Sequence, residues 1–271
     1  MSMDQSAIKE IQKSATLQHA TQQLTQTLTP LAVLPDDFKI ESLETYLNGR
    51  VRFRGNFETQ SITDIADYID DRHPSVFVNA DKMTAKAIFN FGTDEAPGHC
   101  DNTATLALER NSAFSALLSI NGRKLSQKDL AEWLEDWNEH AKVFDQEDEE
   151  MSIVAAIAAI RRITITAKSE STHSEHNFGA ARSAMEEIEA KAEERMPSGF
   201  TFACVPYESL DERTFTARFS VLTGHDKPVL SVRIVQLESQ EEDMGSEFKT
   251  KLTDALADDI AIYLGSFKAG H

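Results

Sequence analysis

His99, Cys100 and Asp101 are adjacent and form the most reactive combination of side chains in the sequence. An imidazole, a thiol and a carboxylate in one loop could bind a metal ion, or pair a nucleophile with its base, if a fourth group such as His73 folded onto them. Adjacent ligands seldom all point at one ion, and the second half of the chain supplies no matching pair. We therefore favour a polar loop between two strands over a metal or catalytic centre.

The sequence contains none of the common catalytic signatures. It has no phosphate-binding glycine loop, no Gly-x-Ser-x-Gly elbow, no His-Glu-x-x-His helix and no paired Cys-x-x-Cys. A catalytic constellation also needs side chains that orient one another, whereas residues 99–101 are only neighbours in sequence. We therefore expect a protein that is not an enzyme and that carries no cofactor and no metal.

Arg50, Arg52 and Arg54 alternate with apolar residues, a pattern that predicts a strand over residues 50–58. In a strand the three guanidinium groups would line up on one face at intervals of roughly 7 Å. This spacing suits successive phosphates or the carboxylates of a facing element. One interpretation is that the arginines neutralise the protein's own acidic surface. The other is that they contact an anionic ligand or a neighbouring copy of the chain.

Acidic residues occur along the whole chain, and one predicted helix together with the run that follows it carries the candidate partner-binding carboxylates. Ser126 and Asp129 form a capping pair that begins this helix, and Leu130 and Leu134 belong to its apolar face. The acidic residues of the opposite face and of the following run are Glu132, Glu135, Asp136, Glu139, Asp145, Glu147 and Asp148. We expect these carboxylates to contact a positively charged partner, the alternative being a solvated surface. Because acidic residues suit the first turn of a helix, we also expect a helix to begin inside the run at 145–150.

The composition excludes several classes of protein. The 271 residues include 27 Lys and Arg against 45 Asp and Glu, which gives a formal net charge of -18. Such a charge repels phosphate backbones and anionic membranes, so we expect no direct binding of nucleic acid and no membrane association. The two cysteines are too few for a disulfide framework, and the N-terminus lacks the pattern of a signal peptide. We expect a bacterial cytoplasmic location.

The predicted elements are typical of an α+β protein with two antiparallel-sheet-containing subdomains, packed helices and a weak N-terminal helix or arm. We divide the chain into a helix or arm at 1–35, a first α+β domain at 36–145, and a second at 146–271 with an antiparallel sheet and a C-terminal helix. Predicted strands lie near residues 50–58, 76–79, 85–91, 103–109, 163–168, 200–205, 214–221 and 229–237. Predicted helices lie near 4–28, 61–70, 126–137, 180–194 and 246–260, whereas residues 112–120 fit a helix or a strand.

Several motifs occur in an order that resembles one known family. They are TAKAIFNFG, GHCDNTATLAL, the Ser126-Gln127 start of the helix with LAEWLEDW, MPSGFTFACVPY and VLSVRIVQLE, and the resemblance that they carry spans roughly residues 60–240. In this order they resemble the uncharacterised YfdQ-like family of phage and prophage proteins. His99 matches the family's loop histidine and Glu135-Asp136 its Glu-Asp pair, whereas the chain departs from the pattern at Phe89-Asn90. The resemblance implies a phage or prophage origin and brings no established activity.

Charge and resemblance together lead to two functional hypotheses. The first is a protein that acts by contact with a host or phage protein that has a basic surface, such as a counter-defence inhibitor that occupies the nucleic-acid-binding surface of a host complex. The alternative is an accessory nucleic-acid-binding factor in phage replication or recombination, which would use the face formed by Arg50, Arg52 and Arg54. We also expect a homo-oligomer, because sheet edges need cover that the N-terminal helix of a neighbouring protomer could supply.

Overall fold

The computed structural model describes residues 4–26, 44–163, 195–222 and 229–269. Within these ranges the helices are α1 (Gln5–Gln26), α2 (Ile62–Ile69), α3 (Ser112–Ile120), α4 (Gln127–Asp136), α5 (Ile153–Arg162) and α6 (Leu237–Ala255). The strands are β1 (Gly55–Thr59), β2 (Ser75–Asn79), β3 (Thr84–Ile88), β4 (Asn102–Ala107), β5 (Lys124–Ser126), β6 (Ala141–Phe144), β7 (Glu150–Met151), β8 (Gly199–Cys204), β9 (Arg213–Leu222), β10 (Val229–Ile234) and β11 (Ala261–Leu264). The helix predicted at 180–194 and the strand predicted at 163–168, except for Ile163, lie outside the described residues.

Contacts divide the chain into two units, Met1–Phe53 and Arg54–His271. The first unit contains α1, the predicted N-terminal helix, in which Ile8 and Ile11 are exposed. The second unit contains both sheets. The domains predicted at 1–35, 36–145 and 146–271 remain a prediction.

The first sheet contains five strands in the order β1, β4, β3, β2, β11. Strands β2, β3 and β4 are antiparallel neighbours, which confirms the predicted hairpin and the strand after it. Strand β1 pairs in parallel with β4, and β11 pairs in parallel with β2. The sheet is therefore mixed, and its two edges come from widely separated parts of the chain.

Helices α2 and α6 contact each other, α2 packs on β4 of the first sheet, and α6 packs on the turn Ala80–Lys82 between β2 and β3. Ser61 caps α2, because its hydroxyl oxygen accepts a hydrogen bond from the Asp64 backbone N–H at 3.1 Å, as the sequence predicts. The buried face of α2 is formed by Ile62, Ile65 and Ile69, and that of α6 by Met244, Gly245, Phe248 and Leu252. Apolar residues alternate along β2, β3 and β4 to complete this half of the core.

The second sheet contains six antiparallel strands in the order β5, β10, β9, β8, β6, β7. Helices α3, α4 and α5 pack on one face of this sheet. The Phe114 ring of α3 stacks on Phe215 of β9 at 5.1 Å, and the Trp133 ring of α4 lies 5.5 Å from Phe200 of β8. The predicted Ser126–Asp129 capping box begins α4, and hydrogen bonds from Ser126 lower the pKa of the Asp129 carboxyl group. The architecture is α+β with two sheets rich in antiparallel pairs, as predicted.

Two predicted elements are wrong. Residues 50–54 are not in a strand, because the pairing of β1 with β4 begins only at Gly55, opposite Asn102. No helix begins inside the acidic run at 145–150, because Asp145 forms a turn there and β7 follows it. Helix α5 begins later, after its N-cap Ser152.

Among the described residues, no helix combines the length and the apolar character needed to cross a membrane.

Candidate functional site

The loop with His99, Cys100 and Asp101 lies between β3 and β4, and it is held by Asn90, which follows β3. The Asn90 side-chain amide donates to an Asp101 carboxylate oxygen at 2.8 Å, and its carbonyl oxygen accepts from the Asn102 backbone N–H at 3.0 Å. The Cys100 Sγ lies 3.8 Å from the Gly98 carbonyl oxygen, and His99 is exposed. Asn90 therefore anchors Asp101 and ties the loop to the start of β4.

His73, the candidate fourth ligand, is engaged elsewhere. Its Nδ1 lies 3.0 Å from an Asp259 carboxylate oxygen at the turn before β11. Across the described ranges, no three His, Cys, Asp or Glu side chains come together as a metal-binding group.

The two cysteines differ in environment. Cys204 is buried at the end of β8, and burial, together with the nearby Glu212 charge, raises the pKa of its thiol to about 11. The thiol of Cys204 is thus protonated at neutral pH and is a poor nucleophile. Cys100 is half-buried, and its backbone is in the left-handed region with φ of 55°.

Arg50, Arg52 and Arg54 do not form the regular stripe that a strand would give. Arg50 and Arg52 belong to the first unit and Arg54 to the second. All three take part in interactions within the structure. The expected ladder of guanidinium groups on one face of a strand is therefore not formed.

The acidic residues predicted as a partner surface fall into two places. Glu132, Glu135, Asp136 and Glu139 are exposed on the outer side of α4 or just after it, as predicted. Two of them form ion pairs within the chain, Glu132 with Lys128 at 3.6 Å and Glu135 with Arg161 at 2.7 Å. The remaining three, Asp145, Glu147 and Asp148, lie in the turn between β6 and β7.

Asp145 has a structural role in this turn. Its side chain is only 2% exposed, and one carboxylate oxygen accepts hydrogen bonds from the backbone N–H groups of Glu147 and Glu149, each at 3.0 Å. The other oxygen forms an ion pair with Arg195. Burial alone would raise the pKa of Asp145, but these hydrogen bonds and the Arg195 charge outweigh it and lower the pKa. Asp145 is therefore not part of an exposed acidic surface, whereas Glu147 and Asp148 are exposed and Asp148 pairs with Arg218 at 3.0 Å.

A second group of carboxylates, which the sequence interpretation missed, surrounds a pocket of about 640 Å³ in the second unit. We call it the acidic pocket. Its lining residues are Glu58, Thr59, Gln60, Ser61, Asp64, Thr105, Ala107, Glu109 and Glu208. Four of the nine are carboxylates and none is basic, so the pocket has a strongly negative potential.

The fold explains how four distant residues reach one pocket. Glu58 of β1 is in register with Thr105 of β4, which places both at one edge of the first sheet. Asp64 follows β1 in the first turn of α2. An isolated antiparallel bridge between Arg110 and Tyr207 brings the neighbouring residues Glu109 and Glu208 together. The pocket is therefore a product of tertiary structure, and among its lining residues only the capping pair Ser61 and Asp64 carries a local sequence signal.

The acidic pocket continues into a wider acidic surface through Asp64. Exposed carboxylates cover the outer side of α2 and α6 and their flanking turns: Asp64, Asp67, Asp70, Asp71, Glu238, Glu241, Glu242, Asp243, Asp254, Asp258 and Asp259. The sequence signal for this surface was the density of acidic residues in DIADYIDD and SQEEDMGSE. Residues 1–53 carry six acidic and five basic residues, whereas residues 54–271 carry 39 and 22. The negative charge therefore belongs to the second unit.

A groove of about 690 Å³ between α4 and α5 differs in chemistry from the acidic pocket. It is lined by Glu135, Asn138, Ile153, Val154, Ile157, Ala158, Arg161 and Arg162. The Glu135–Arg161 ion pair lies at this groove, so part of its charge is already compensated within the chain.

These features define an acidic α+β protein with two sheets and a carboxylate-lined surface pocket. Residues 4–267 match the model of the DUF2303 family, described as an uncharacterized conserved protein. The match covers nearly the whole chain, and the chain belongs to this family. The comparisons with curated proteins and with solved structures found no match.

Proposed function

We propose that this protein acts without catalysis, by binding the basic surface of another protein, and that the acidic pocket receives an arginine or lysine side chain of that partner. The observation that carries the proposal is the composition of the pocket: four carboxylates, two hydroxyl-bearing threonines and one serine, with no basic residue among them. Charge complementarity of this kind favours cationic groups and steers them to the site.

The size of the pocket favours a long cationic side chain over a metal ion. The four carboxylates surround about 640 Å³ of space and do not form one of the close groups that hold a metal. A guanidinium group offers five donors in a planar fork and suits carboxylates that approach from several directions. The Thr59, Ser61 and Thr105 hydroxyl groups supply further acceptors beside them.

The outer side of α4, the surface predicted from sequence, is the weaker candidate for this contact. Glu132 and Glu135 are already paired with Lys128 and Arg161, and such pairs reduce the charge that a partner meets. The wider surface of α2 and α6 adjoins the acidic pocket through Asp64 and extends the negative field around it.

The setting we propose is a phage or prophage protein of the YfdQ-like type, working in the cytoplasm of the bacterial host. The support for this setting is the order of sequence motifs, from the hairpin to the strand VLSVRIVQLE. In that setting the basic partner is a host complex whose nucleic-acid-binding surface would be occupied, as expected for a counter-defence inhibitor.

Binding of a labelled oligo-arginine peptide, followed by fluorescence anisotropy at low salt, tests the pocket. The pocket variant combines Glu58→Gln, Glu109→Gln and Glu208→Gln. The matched control combines Glu132→Gln, Asp136→Asn and Glu139→Gln, which removes the same charge from α4. Because each exposed ion pair contributes a few tenths to about 1 kcal/mol, we expect the pocket variant to bind about tenfold more weakly and the control to bind nearly as the unmodified chain does.

Equal weakening of both variants would mean that only net charge matters, and a larger loss in the α4 variant would favour the surface predicted from sequence. Either result would contradict the proposal that the acidic pocket binds the cationic side chain. Affinity capture from host lysate with the same two variants then identifies the partner. A basic protein that is captured at low salt, released at high salt and lost only with the pocket variant is the expected outcome, whereas no salt-sensitive basic partner would contradict the function.

A further inference from the structure

The four edge strands of the two sheets differ in how they are protected against pairing with another chain. Edge strands are commonly protected by charged residues, prolines or short length. Strand β1 contains Glu58, β5 contains Lys124, and the two-residue β7 contains Glu150. Strand β11 has the sequence AIYL, with neither a charge nor a proline. Among these four edge strands, β11 is the one that contains neither a charged residue nor a proline.

The exposed side chains of β11 are unusually apolar for an edge. Tyr263 is 50% exposed and Leu264 is 65% exposed. Within the described part of the chain, β11 pairs only with β2. The Tyr263 ring stacks on Phe77 of β2 at 5.3 Å, and Phe77 in turn stacks on Phe267 at 5.2 Å. Tyr263 is therefore the outermost ring of an aromatic row that ends at the edge.

The direction of the backbone groups follows from one hydrogen bond. The Gly265 backbone N–H donates to the Val78 carbonyl oxygen at 2.7 Å, so Gly265 faces β2. The backbone N–H and C=O groups of successive residues point to alternate sides of a strand. Those of Tyr263 therefore also point toward β2, whereas those of Ile262 and Leu264 point away from the sheet. These outward groups can accept a further strand.

We propose that two copies of this chain associate by antiparallel pairing of their β11 strands about a two-fold axis at Tyr263. Outward residues pair with outward residues in an antiparallel ladder, so Ile262 of each copy lies opposite Leu264 of the other and forms a hydrogen-bonded pair. Tyr263 then lies opposite Tyr263 of the second copy in the closer, non-hydrogen-bonded pair. The two five-stranded sheets become one continuous sheet. The interface is closed and isologous, as expected for a dimer.

Two properties of β11 favour a second copy as the occupant. The pairing extends the aromatic row across the axis, and aromatic cross-strand pairs are among those that stabilise a sheet. The antiparallel direction also brings the start of one strand, which follows Asp258, to the end of the other, which precedes Lys268. In this arrangement the acidic turn before one strand and the segment with Lys268 after the other lie at the same end of the ladder, although each copy has a net charge of -18. This inference is independent of the proposed function.

Sedimentation of the full chain over a range of concentrations tests the association. We expect a reversible dimer of the 30.2 kDa chain. Leu264→Lys places a charge in the ladder, and Leu264→Pro removes an outward donor while leaving the β2 pairing intact. Each should raise the dimer dissociation constant by at least about tenfold. The matched control is Val154→Lys, since Val154 is a 74% exposed apolar residue on α5. Circular dichroism checks that each variant is folded.

Oxidative cross-linking tests the register without relying on those variants. In a Cys100→Ser background, Tyr263→Cys should form an intermolecular disulfide readily, because residues in a non-hydrogen-bonded pair have close Cβ atoms. Leu264→Cys should cross-link far less, since its counterpart lies diagonally across the axis. A chain that stays monomeric at all concentrations, a dimer insensitive to both Leu264 variants, or equal cross-linking at the two positions would overturn the proposal.

Discussion

The Arg213 Nη2 lies 2.8 Å from a Glu247 carboxylate oxygen, and this ion pair joins the second sheet to helix α6, which packs on α2 and on the turn after β2. Arg213 begins β9 and Glu247 belongs to α6. Glu247 also accepts a hydrogen bond from the Asp211 backbone N–H at 2.6 Å and forms an ion pair with Lys251 at 3.2 Å. Burial by itself would raise the pKa of Glu247, but these partners together lower it. The two halves of the second unit thus share a partly buried ionic contact.

Glu247→Gln should lower the free energy of unfolding by about 2 kcal/mol at neutral pH, because it leaves Arg213 without its charged partner. Since the folded-state pKa of Glu247 is lowered, its contribution is fully present above the ordinary value of 4.5 and is lost as the pH falls through the lowered value. Urea unfolding at neutral and acid pH measures both effects. The exposed Glu242→Gln on the same helix should change little; an equal loss in this control would contradict the assignment.

Asp145→Ala should lower the free energy of unfolding by about 2 kcal/mol, because the backbone N–H groups of Glu147 and Glu149 lose their acceptor. The same variant should leave oligo-arginine binding unchanged, since Asp145 is buried. Glu147→Ala is the control for the loss of one negative charge in this turn, and its stability should match that of the unmodified chain. A stable Asp145→Ala protein with weakened peptide binding would instead support the partner-binding role that the sequence predicts.

Thiol labelling should distinguish the two cysteines. Cys204 is buried and the pKa of its thiol is raised to about 11, so it should resist alkylation in the native protein at neutral pH. Cys100 is half-buried and should react first. Mass spectrometry of native and urea-unfolded samples measures the order, with Cys100→Ser as the reference. Rapid labelling of Cys204 in the native state would show that the end of β8 opens.

Gel-shift experiments with single-stranded oligonucleotides at low salt test the alternative function. We expect neither the unmodified chain nor Arg52→Glu to bind measurably, because the regular strand of arginines is not formed and the net charge of -18 repels phosphates. Binding by the unmodified chain that is abolished in Arg52→Glu would instead favour the accessory nucleic-acid-binding factor.

Local signals predicted much of the fold. The Ser61 and Ser126 caps, the β2–β3 hairpin and the apolar alternation in β8 and β9 all occur as the sequence indicates. Each of these depends on neighbouring residues or on periodicity, which a single sequence displays. The capping hydrogen bonds join residues only three positions apart, so the sequence contains both partners side by side.

The elements that were missed depend on distant partners. The extent of β1 is set by β4, about fifty residues away, so the alternation over 50–54 could not reveal where pairing begins. The acidic run forms a turn because one Asp145 oxygen captures two backbone N–H groups, a competition with helix formation that composition does not show. The acidic pocket likewise joins β1, α2, β4 and the segment after β8, and only the tertiary structure brings these together.

The position of β11 has a consequence for biosynthesis. Ala261 pairs with Ser75, so the whole second sheet is translated between the two partners of this strand pair. While the ribosome is still making the second sheet, the outer side of β2 has no neighbour from β11 and Phe77 lacks the Tyr263 ring. The nascent first sheet therefore gains its last strand only after the second sheet has been made, and until then one edge of β2 stays open to other strands.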